Sequence, residues 1–164
     1  MHAVQFGFCV PIFASPGKRL FRTPNFGDLD TNAVMQVSQK ADQLGYDSLW
    51  IADHMMLGKD DAILEGWTVT AALAGSTKNA RLGLIHQSHF LRHPAFAAKM
   101  TATLDQICNG RFIYFIDGAN AAHEYKAYGM EWYDEQEERI IRMLDGLELT
   151  KQMWTSSDPV TYEG

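Results

Sequence analysis

The sequence predicts an α/β fold built on a parallel sheet. Short, nearly continuous apolar segments alternate with stretches of helical periodicity along the 164 residues, and uninterrupted apolar strands are typical of sheets covered on both faces. Residues 81–120 show the pattern most clearly, because they read as strand, polar loop, helix, tight stop, strand and polar loop. Polar residues follow both strands, as in α/β enzymes with a site at the carboxyl ends of the strands.

Turn and cap residues place the elements in order. The four predicted strands are apolar and cover residues 4–13, 47–53, 80–86 and 111–117. The first helix is predicted to begin at the Asp30–Thr31 cap and to end at Gly45. The second covers roughly residues 65–75, and the third begins at Pro94 and ends at Asn109–Gly110.

The last helix is predicted to begin at Asp134, where Glu137 completes a capping-box spacing. Four apolar residues at helical spacing are expected to face the core: Ile140, Ile141, Leu144 and Leu147. Two pairs of opposite charge are expected on the solvent side: Glu135 with Arg139, and Glu138 with Arg142.

Residues 14–29 form a connection that is long for a strand–helix loop. Its turn residues are Pro16, Gly17, Pro24 and Gly27. Loops of this length more often cover or bind a ligand than act as spacers. We therefore expect this loop to contribute to a lid or a binding surface.

Four strand–helix units amount to half of an eight-stranded barrel. Half a barrel has two open sheet edges and an uncovered inner face. We expect that the chain is a fragment, that it pairs with another chain, or that it closes in a different way.

Composition excludes several classes of protein. Hydrophobic residues make up 46% of the chain, enough for a substantial core. The formal net charge of -6 argues against a general nucleic-acid binder. The apolar runs are too short for a membrane span. Two cysteines do not make a disulfide framework, so a reducing, cytoplasmic location is predicted.

His54 is the sharpest candidate for a catalytic residue. It follows Asp53 at the end of the second predicted strand, where an imidazole could act as a general acid or base. The alternative is a loop histidine that only hydrogen-bonds a neighbouring carbonyl group.

A metal site is the weaker interpretation of the other histidines. His86, His89 and His93 are closely spaced, but Pro94 and the preceding strand put them in a loop, and no nearby Cys or carboxylate completes a set of ligands. No metal is predicted. We expect His86 and Gln87 to face a pocket at the strand ends.

The loop after the fourth strand consists mostly of small residues. Asp117, Gly118 and Asn120 begin it, and a helical turn follows at His123 and Glu124. Small side chains would let a flat ligand approach the backbone. An ordinary strand–helix loop is the alternative.

Five segments together resemble the luciferase-like flavin-dependent monooxygenases: GFCVPIF, LGYDSLWIADH, ARLGLIHQSHFLRHPAFAAKMTATLDQICNGRF, EYKAYGM and LELTKQMWTSSDPVTYEG. The resemblance runs over essentially the whole chain. It implies a TIM (β/α)8-barrel, of which residues 1–164 would be the N-terminal half with about the first four units.

The resemblance also implies roles for site residues. His54 matches a histidine that acts on reaction intermediates, preceded by an acidic residue as Asp53 is here. Residues 85–87 resemble the end of the third strand, which often carries a non-proline cis peptide beneath the flavin ring. Ile85, His86 and Gln87 would therefore contact the cofactor, and Asp117, Gly118 and Asn120 would lie alongside the ring. Asp53 is also expected to bind the cofactor.

The implied reaction is monooxygenation. Reduced FMN and oxygen would act on a small, partly apolar organic substrate, with a separate flavin reductase and a second copy of the chain as partners. The family also includes members that use a deazaflavin coenzyme. The strand-four loop here carries Asp117 and Asn120 in place of the common Gly-x-Gly followed by Trp or Glu, which disfavours a dehydrogenase that needs that Glu.

Two alternatives to the monooxygenase stay open. One is a half-barrel that binds flavin or oligomerises without turnover, because family members are longer and bind the cofactor phosphate mainly in their second half. The other is deazaflavin-dependent hydride transfer by a full barrel.

Overall fold

The computed structural model describes residues 4–15 and 26–163. In this part of the chain, six strands are interspersed with helices: β1 Gly7–Cys9, α1 Thr31–Gln43, β2 Ser48–Ile51, α2 Gly66–Ser76, β3 Arg81–Leu84, β4 Gln87–Ser88, α3 Pro94–Ile107, β5 Phe112–Ile113, β6 Ile116–Asp117, α4 Ala122–Ala127 and α5 Gln136–Thr155. Short 3-10 turns lie at Lys59–Asp61 and His89–Leu91. Of the predicted long loop, Pro16, Gly17 and Pro24 lie outside the described residues.

The sheet is parallel, as predicted. Its order is β1-β2-β3-β5, and β4 and β6 form a second parallel pair beyond the ends of β3 and β5. The fourth predicted strand is therefore interrupted once, and the third ends at Leu84, two residues before its predicted end. Between β3 and β4 lies a cis peptide bond that joins Ile85 and His86, in the segment where the resemblance implies one.

The two faces of the sheet differ. The face toward the helices carries Leu49, Ile51, Leu82 and Leu84, which are at most 1% exposed and form the core with residues of α1, α2 and α3. The other face, here called the inner face, carries the half-buried ring of Trp50. The parallel strands and the helices between them form part of a (β/α)-barrel. The inner face is the side of the sheet that such a barrel encloses.

Glycines make room for Trp50 on the inner face. A Cβ atom on Gly83 would lie 2.6 Å from Trp50 Cζ3, and one on Gly7 would lie 2.6 Å from Trp50 Nε1. Because the register aligns Trp50 with Gly83, the indole ring lies flat over neighbouring strands where a side chain would otherwise stand.

The predicted caps of the first and third helices are confirmed. The Asp30 carboxylate accepts hydrogen bonds from the N–H groups of Asn32 and Ala33, and Gly45 has a φ of 86° beyond the end of α1. Pro94 occupies the first turn of α3, and the left-handed Asn109 and Gly110 follow it. No helix in the described part of the chain is long and apolar enough to cross a membrane.

Helix α5 differs from its prediction. It begins at Gln136, and its buried residues are Gly146 and Thr150, whereas Ile140, Ile141 and Leu144 are 40–59% exposed. The physical reason is its close contact with α3: a Cβ atom on Gly146 would lie 2.8 Å from Pro94 Cγ. Small residues therefore define the buried face of α5, and the predicted apolar face points away from α3.

Of the two charge pairs predicted for α5, Glu138–Arg142 forms. Arg139 instead donates to the carbonyl groups of Tyr133 and Asp134.

Candidate active site

The carboxyl ends of the parallel strands bring together three segments that are distant in sequence. His54 follows β2, His86 lies between β3 and β4, and Asp117 ends β6. The short helix α4, which follows the small-residue loop 118–121, closes this end of the sheet. The arrangement is the one the sequence predicts, with polar groups at neighbouring strand ends.

The ring of His54 is held by a buried carboxylate. His54 Nδ1 lies 2.7 Å from Glu124 Oε1, and the Met55 N–H group donates to Glu124 Oε2 at 2.6 Å. Glu124 is 3% exposed, whereas the His54 side chain is 28% exposed. The ring is therefore held through Nδ1 while the side chain stays partly exposed, an arrangement that a general acid or base could use.

Asp53 has a supporting position in the site, and its predicted contact with a cofactor stays a prediction. Its carboxylate is 2% exposed, and both oxygens bind the Arg92 guanidinium, at 2.8 and 2.9 Å. The Ser88 N–H group donates to it at 3.0 Å. Burial raises the pKa of the Asp53 carboxyl, and the bonds from Arg92 act in the opposite direction. Asp53 thus ties strand two to the strand-three loop beside His54.

His86 forms a second imidazole–carboxylate pair. His86 Nδ1 lies 2.9 Å from Asp117 Oδ2, and these side chains are 42% and 31% exposed. Asp117 Oδ1 accepts a bond from the Ala119 N–H group at 2.9 Å, which shapes the start of the small-residue loop. The ring of Phe115 meets His86 edge-on, with centroids 4.8 Å apart. His86 and Asp117 therefore lie together where the sequence predicts a pocket.

Gln87 does not point to this pocket. Its side chain is 2% exposed and its Nε2 atom lies 3.5 Å from the hydroxyl group of Tyr114. Tyr114 packs against Trp154 of α5, so Gln87 faces the helices. Its backbone N–H group bonds the Phe115 carbonyl group. The reason is strand alternation: with His86 toward the pocket, the next side chain takes the opposite face.

The remaining predicted residues lie around the opening. Ile85 is half-buried and shares the cis peptide with His86, Gly118 is half-buried, and Asn120 is exposed. Ala119 is buried with a φ of 60°. That loop 118–121 lets a flat ligand approach its backbone stays a prediction.

The three histidines of the rejected metal interpretation diverge. His86 pairs with Asp117, His93 Nδ1 accepts a bond from the Ala95 N–H group, and His89 is buried against Gly146. Burial lowers the pKa of His89. Among residues 4–15 and 26–163, no three metal-ligating side chains gather into a cluster.

Sequence reasoning missed three residues that build the site. Glu124 and Arg92 hold His54 and Asp53, and Tyr125 is 2% exposed beneath them. Burial raises the pKa of Tyr125 to about 12, and the nearby carboxylates of Asp53 and Asp117 add to the effect. The sequence did offer one signal: Glu124 and Arg92 are charged residues next to the starts of helices that follow strands. A charged side chain that becomes buried there needs a partner of opposite charge or a hydrogen bond.

The sequence matches the family model for luciferase-like monooxygenases over residues 4–164. The chain belongs to this family. A curated relative is the F420-dependent glucose-6-phosphate dehydrogenase of Amycolatopsis mediterranei (strain U-32). It is 30% identical over 142 residues, which is 85% of this chain and 41% of the relative. The chain thus spans well under half the length of that relative.

Solved structures of similar fold include enzymes with either type of cofactor. An F420-dependent secondary alcohol dehydrogenase in complex with an F420-acetone adduct matches with a TM-score of 0.75 and 23% identity, over 98% of this chain and 44% of that one. The oxygenating constituent of 3,6-diketocamphane monooxygenase from Pseudomonas putida, in complex with FMN, matches with a TM-score of 0.74 and 21% identity, over 99% and 42%. These likenesses support the barrel fold of a luciferase-like protein.

The residues at the rim fit a flat aromatic cofactor. Phe115 is 40% exposed on the inner face, between the rings of His86 and Trp50, with centroid distances of 4.8 and 6.0 Å. Partly exposed aromatic edges beside a loop of small residues leave an apolar surface that a tricyclic ring could cover. His86, Phe115 and the backbone of loop 118–121 would hold the ring of a flavin or deazaflavin here.

Proposed function

We propose that this chain carries the proton-transferring side of the active site of a flavin-dependent monooxygenase. The reaction would use reduced FMN and oxygen on a small, partly apolar organic substrate. The observation that carries the proposal is the His54–Glu124 pair, a half-exposed imidazole with one nitrogen bound to a buried carboxylate. The family membership and the FMN-bound structure of similar fold support the choice of cofactor.

Each residue has a defined part in this scheme. The reduced flavin, when bound, supplies the electrons for oxygen activation. His54 gives or takes a proton at Nε2, and His86 with Asp117 orients groups at the pocket wall. Phe115 and Trp50 keep the inner face apolar, which helps to exclude water from the reaction.

The test is turnover after substitution of His54. A His54→Asn variant keeps a polar side chain but has no group that titrates near neutral pH. Product formation should fall by about 100-fold or more, the usual contribution of general acid–base catalysis, while FMN binding measured by fluorescence quenching stays within about twofold because His54 does not hold the ring. Unchanged turnover would overturn the role of His54.

A second candidate function is hydride transfer with F420. The curated relatives named as F420-dependent dehydrogenases favour it, whereas the absence of Glu from residues 117–120 disfavours it. The two functions separate in one comparison: the monooxygenase consumes oxygen with reduced FMN, and the dehydrogenase reduces F420 anaerobically. Tight FMN binding without oxygen consumption would instead indicate a non-catalytic flavin-binding protein.

The separate flavin reductase and the second copy of the chain stay predictions. Both follow from the family resemblance alone. Size-exclusion chromatography with light scattering measures the number of copies, and oxygen consumption with and without an added NADH-dependent flavin reductase tests the need for that partner.

A further inference from the structure

We propose that Glu124 is a positioning residue that fixes the tautomer of His54, with the ring proton on Nδ1 and a free lone pair on Nε2. The consequence would be a neutral imidazole that accepts a proton at Nε2 and, once protonated, can give it back from the same atom. The inference rests on the proposed function insofar as it treats His54 as the group that exchanges a proton with the reactants.

The hydrogen-bond pattern around Glu124 carries the tautomer assignment. A backbone N–H group can only donate, so Glu124 Oε2 accepts from Met55 at 2.6 Å. The other oxygen lies 2.7 Å from His54 Nδ1. An ionised carboxylate is an acceptor only, which makes Nδ1 the donor of this bond.

Helix α4 holds the backbone next to His54 as well as its ring. Glu124 and Tyr128 lie one turn apart, and the Tyr128 hydroxyl group is 3.4 Å from the Met55 carbonyl group. Helix α4 and the residue that follows it thus contact the ring of His54 and both the N–H and the C=O of Met55. The ring is therefore fixed in orientation, and protonation at Nε2 forms an imidazolium beside the Glu124 carboxylate, which stabilises it.

Burial distinguishes this pair from the one formed by His86 and Asp117. The Glu124 side chain is 4% exposed, whereas that of Asp117 is 31% exposed and that of His86 is 42% exposed. Water competes with the second pair for the same hydrogen bonds, and screening weakens it. The His86–Asp117 pair is therefore a matched control, because it has the same chemistry in a more solvent-exposed position.

The decisive variant is Glu124→Gln. The carboxamide keeps the size of the side chain, its oxygen can still accept from the Met55 N–H group, and its NH2 group then faces Nδ1 as a donor. His54 would have to accept at Nδ1 and carry its proton on Nε2. The variant should therefore reverse the tautomer of His54 while it preserves the packing around residue 124.

Nitrogen NMR of the imidazole rings measures the tautomer directly. Spectra taken at a pH high enough that the ring signals no longer change should show His54 protonated on Nδ1 in the wild-type chain and on Nε2 in Glu124→Gln. An Asp117→Asn substitution should change the signals of His86 and leave those of His54 unaltered. The wild-type spectrum tests the assignment even if Glu124→Gln fails to fold.

Turnover then separates this inference from the proposed function. Product formation in Glu124→Gln should fall by about 100-fold, because the imidazole cannot accept a proton at Nε2. A wild-type His54 protonated on Nε2, or a tautomer unchanged in Glu124→Gln, would overturn the inference. A reversed tautomer with full turnover would support the inference and refute the catalytic role of His54.

Discussion

Replacement of Arg92 by Met should strongly destabilise the protein. The change removes two charge-assisted hydrogen bonds from Asp53, whose carboxylate is 2% exposed. Only the bond from the Ser88 N–H group would then remain. Loss of one partner from a buried ion pair typically costs about 3–5 kcal/mol, because the other charge stays buried without compensation. The bond from Arg92 to the 41% exposed Glu65 adds little.

The cost should depend on the charge of Asp53. Burial already raises the pKa of this carboxyl, and loss of Arg92 removes the effects that lower it. A carboxyl whose pKa is higher in the folded than in the unfolded protein favours folding at low pH, and this contribution is lost as the pH rises through the folded pKa. The deficit of Arg92→Met should therefore be largest at neutral pH and should shrink toward pH 4. The double variant Asp53→Asn/Arg92→Met should recover part of the stability at neutral pH.

Urea unfolding followed by circular dichroism measures these differences. The matched control is Arg142→Met, which breaks the Glu138–Arg142 pair, whose side chains are 45% and 49% exposed. That substitution should cost no more than about 0.5 kcal/mol. A deficit below about 1 kcal/mol for Arg92→Met, or a double variant no more stable than the single one, would refute the reasoning.

Three further substitutions test other contacts. Gly146→Ala should cost about 1–3 kcal/mol in urea unfolding, because the methyl group overlaps Pro94 where α5 meets α3; a gain in stability would contradict this close contact. Burial acts to raise the pKa of Asp42, but the N–H groups of residues 78–80 outweigh it and hold the pKa low. Asp42→Asn should therefore cost about 1–3 kcal/mol at pH 7, and the cost should fade as the pH drops through the lowered pKa; a pH-independent difference would argue against it. Wild-type stability should fall by up to about 3 kcal/mol between pH 10 and 12, because Tyr125 keeps its proton longer in the folded state; a Tyr125→Phe variant that shows the same fall would mean that another group causes it.

Local chemistry was enough to predict most of the fold. Asp30, Pro94 and Gly110 mark helix ends through interactions with residues a few positions away, and such signals are readable from sequence. Near-continuous apolar strands predicted parallel pairing because only a sheet covered by helices buries both faces. The predicted buried face of α5 was wrong. Hydrophobic periodicity shows which side of a helix is apolar, but it does not show which side packs closely against a neighbouring helix.

The location of the candidate site could be predicted from the sequence, but the side-chain pairs within it could not. Strand ends located His54, His86 and Asp117, since parallel strands deliver their last residues to one edge. Glu124 is 70 residues from His54, and a pairing over that distance depends on the tertiary fold. Sequence reasoning therefore predicted that Asp53 binds the cofactor, whereas in the structure its carboxylate forms an ion pair with Arg92.

The pattern of these pairings explains how the site keeps its geometry. His54, on the second unit, is bound by Glu124 of the fourth unit, and Asp53 of the second is bound by Arg92, which precedes α3. His86 in turn meets Asp117 at the end of β6. Each imidazole thus takes its orientation from a carboxylate of the strand-four segment, while the backbone of the sheet sets only its position. The small-residue loop between Asp117 and Glu124 joins both carboxylates, so a change in residues 118–121 should alter the orientation of the two histidines together.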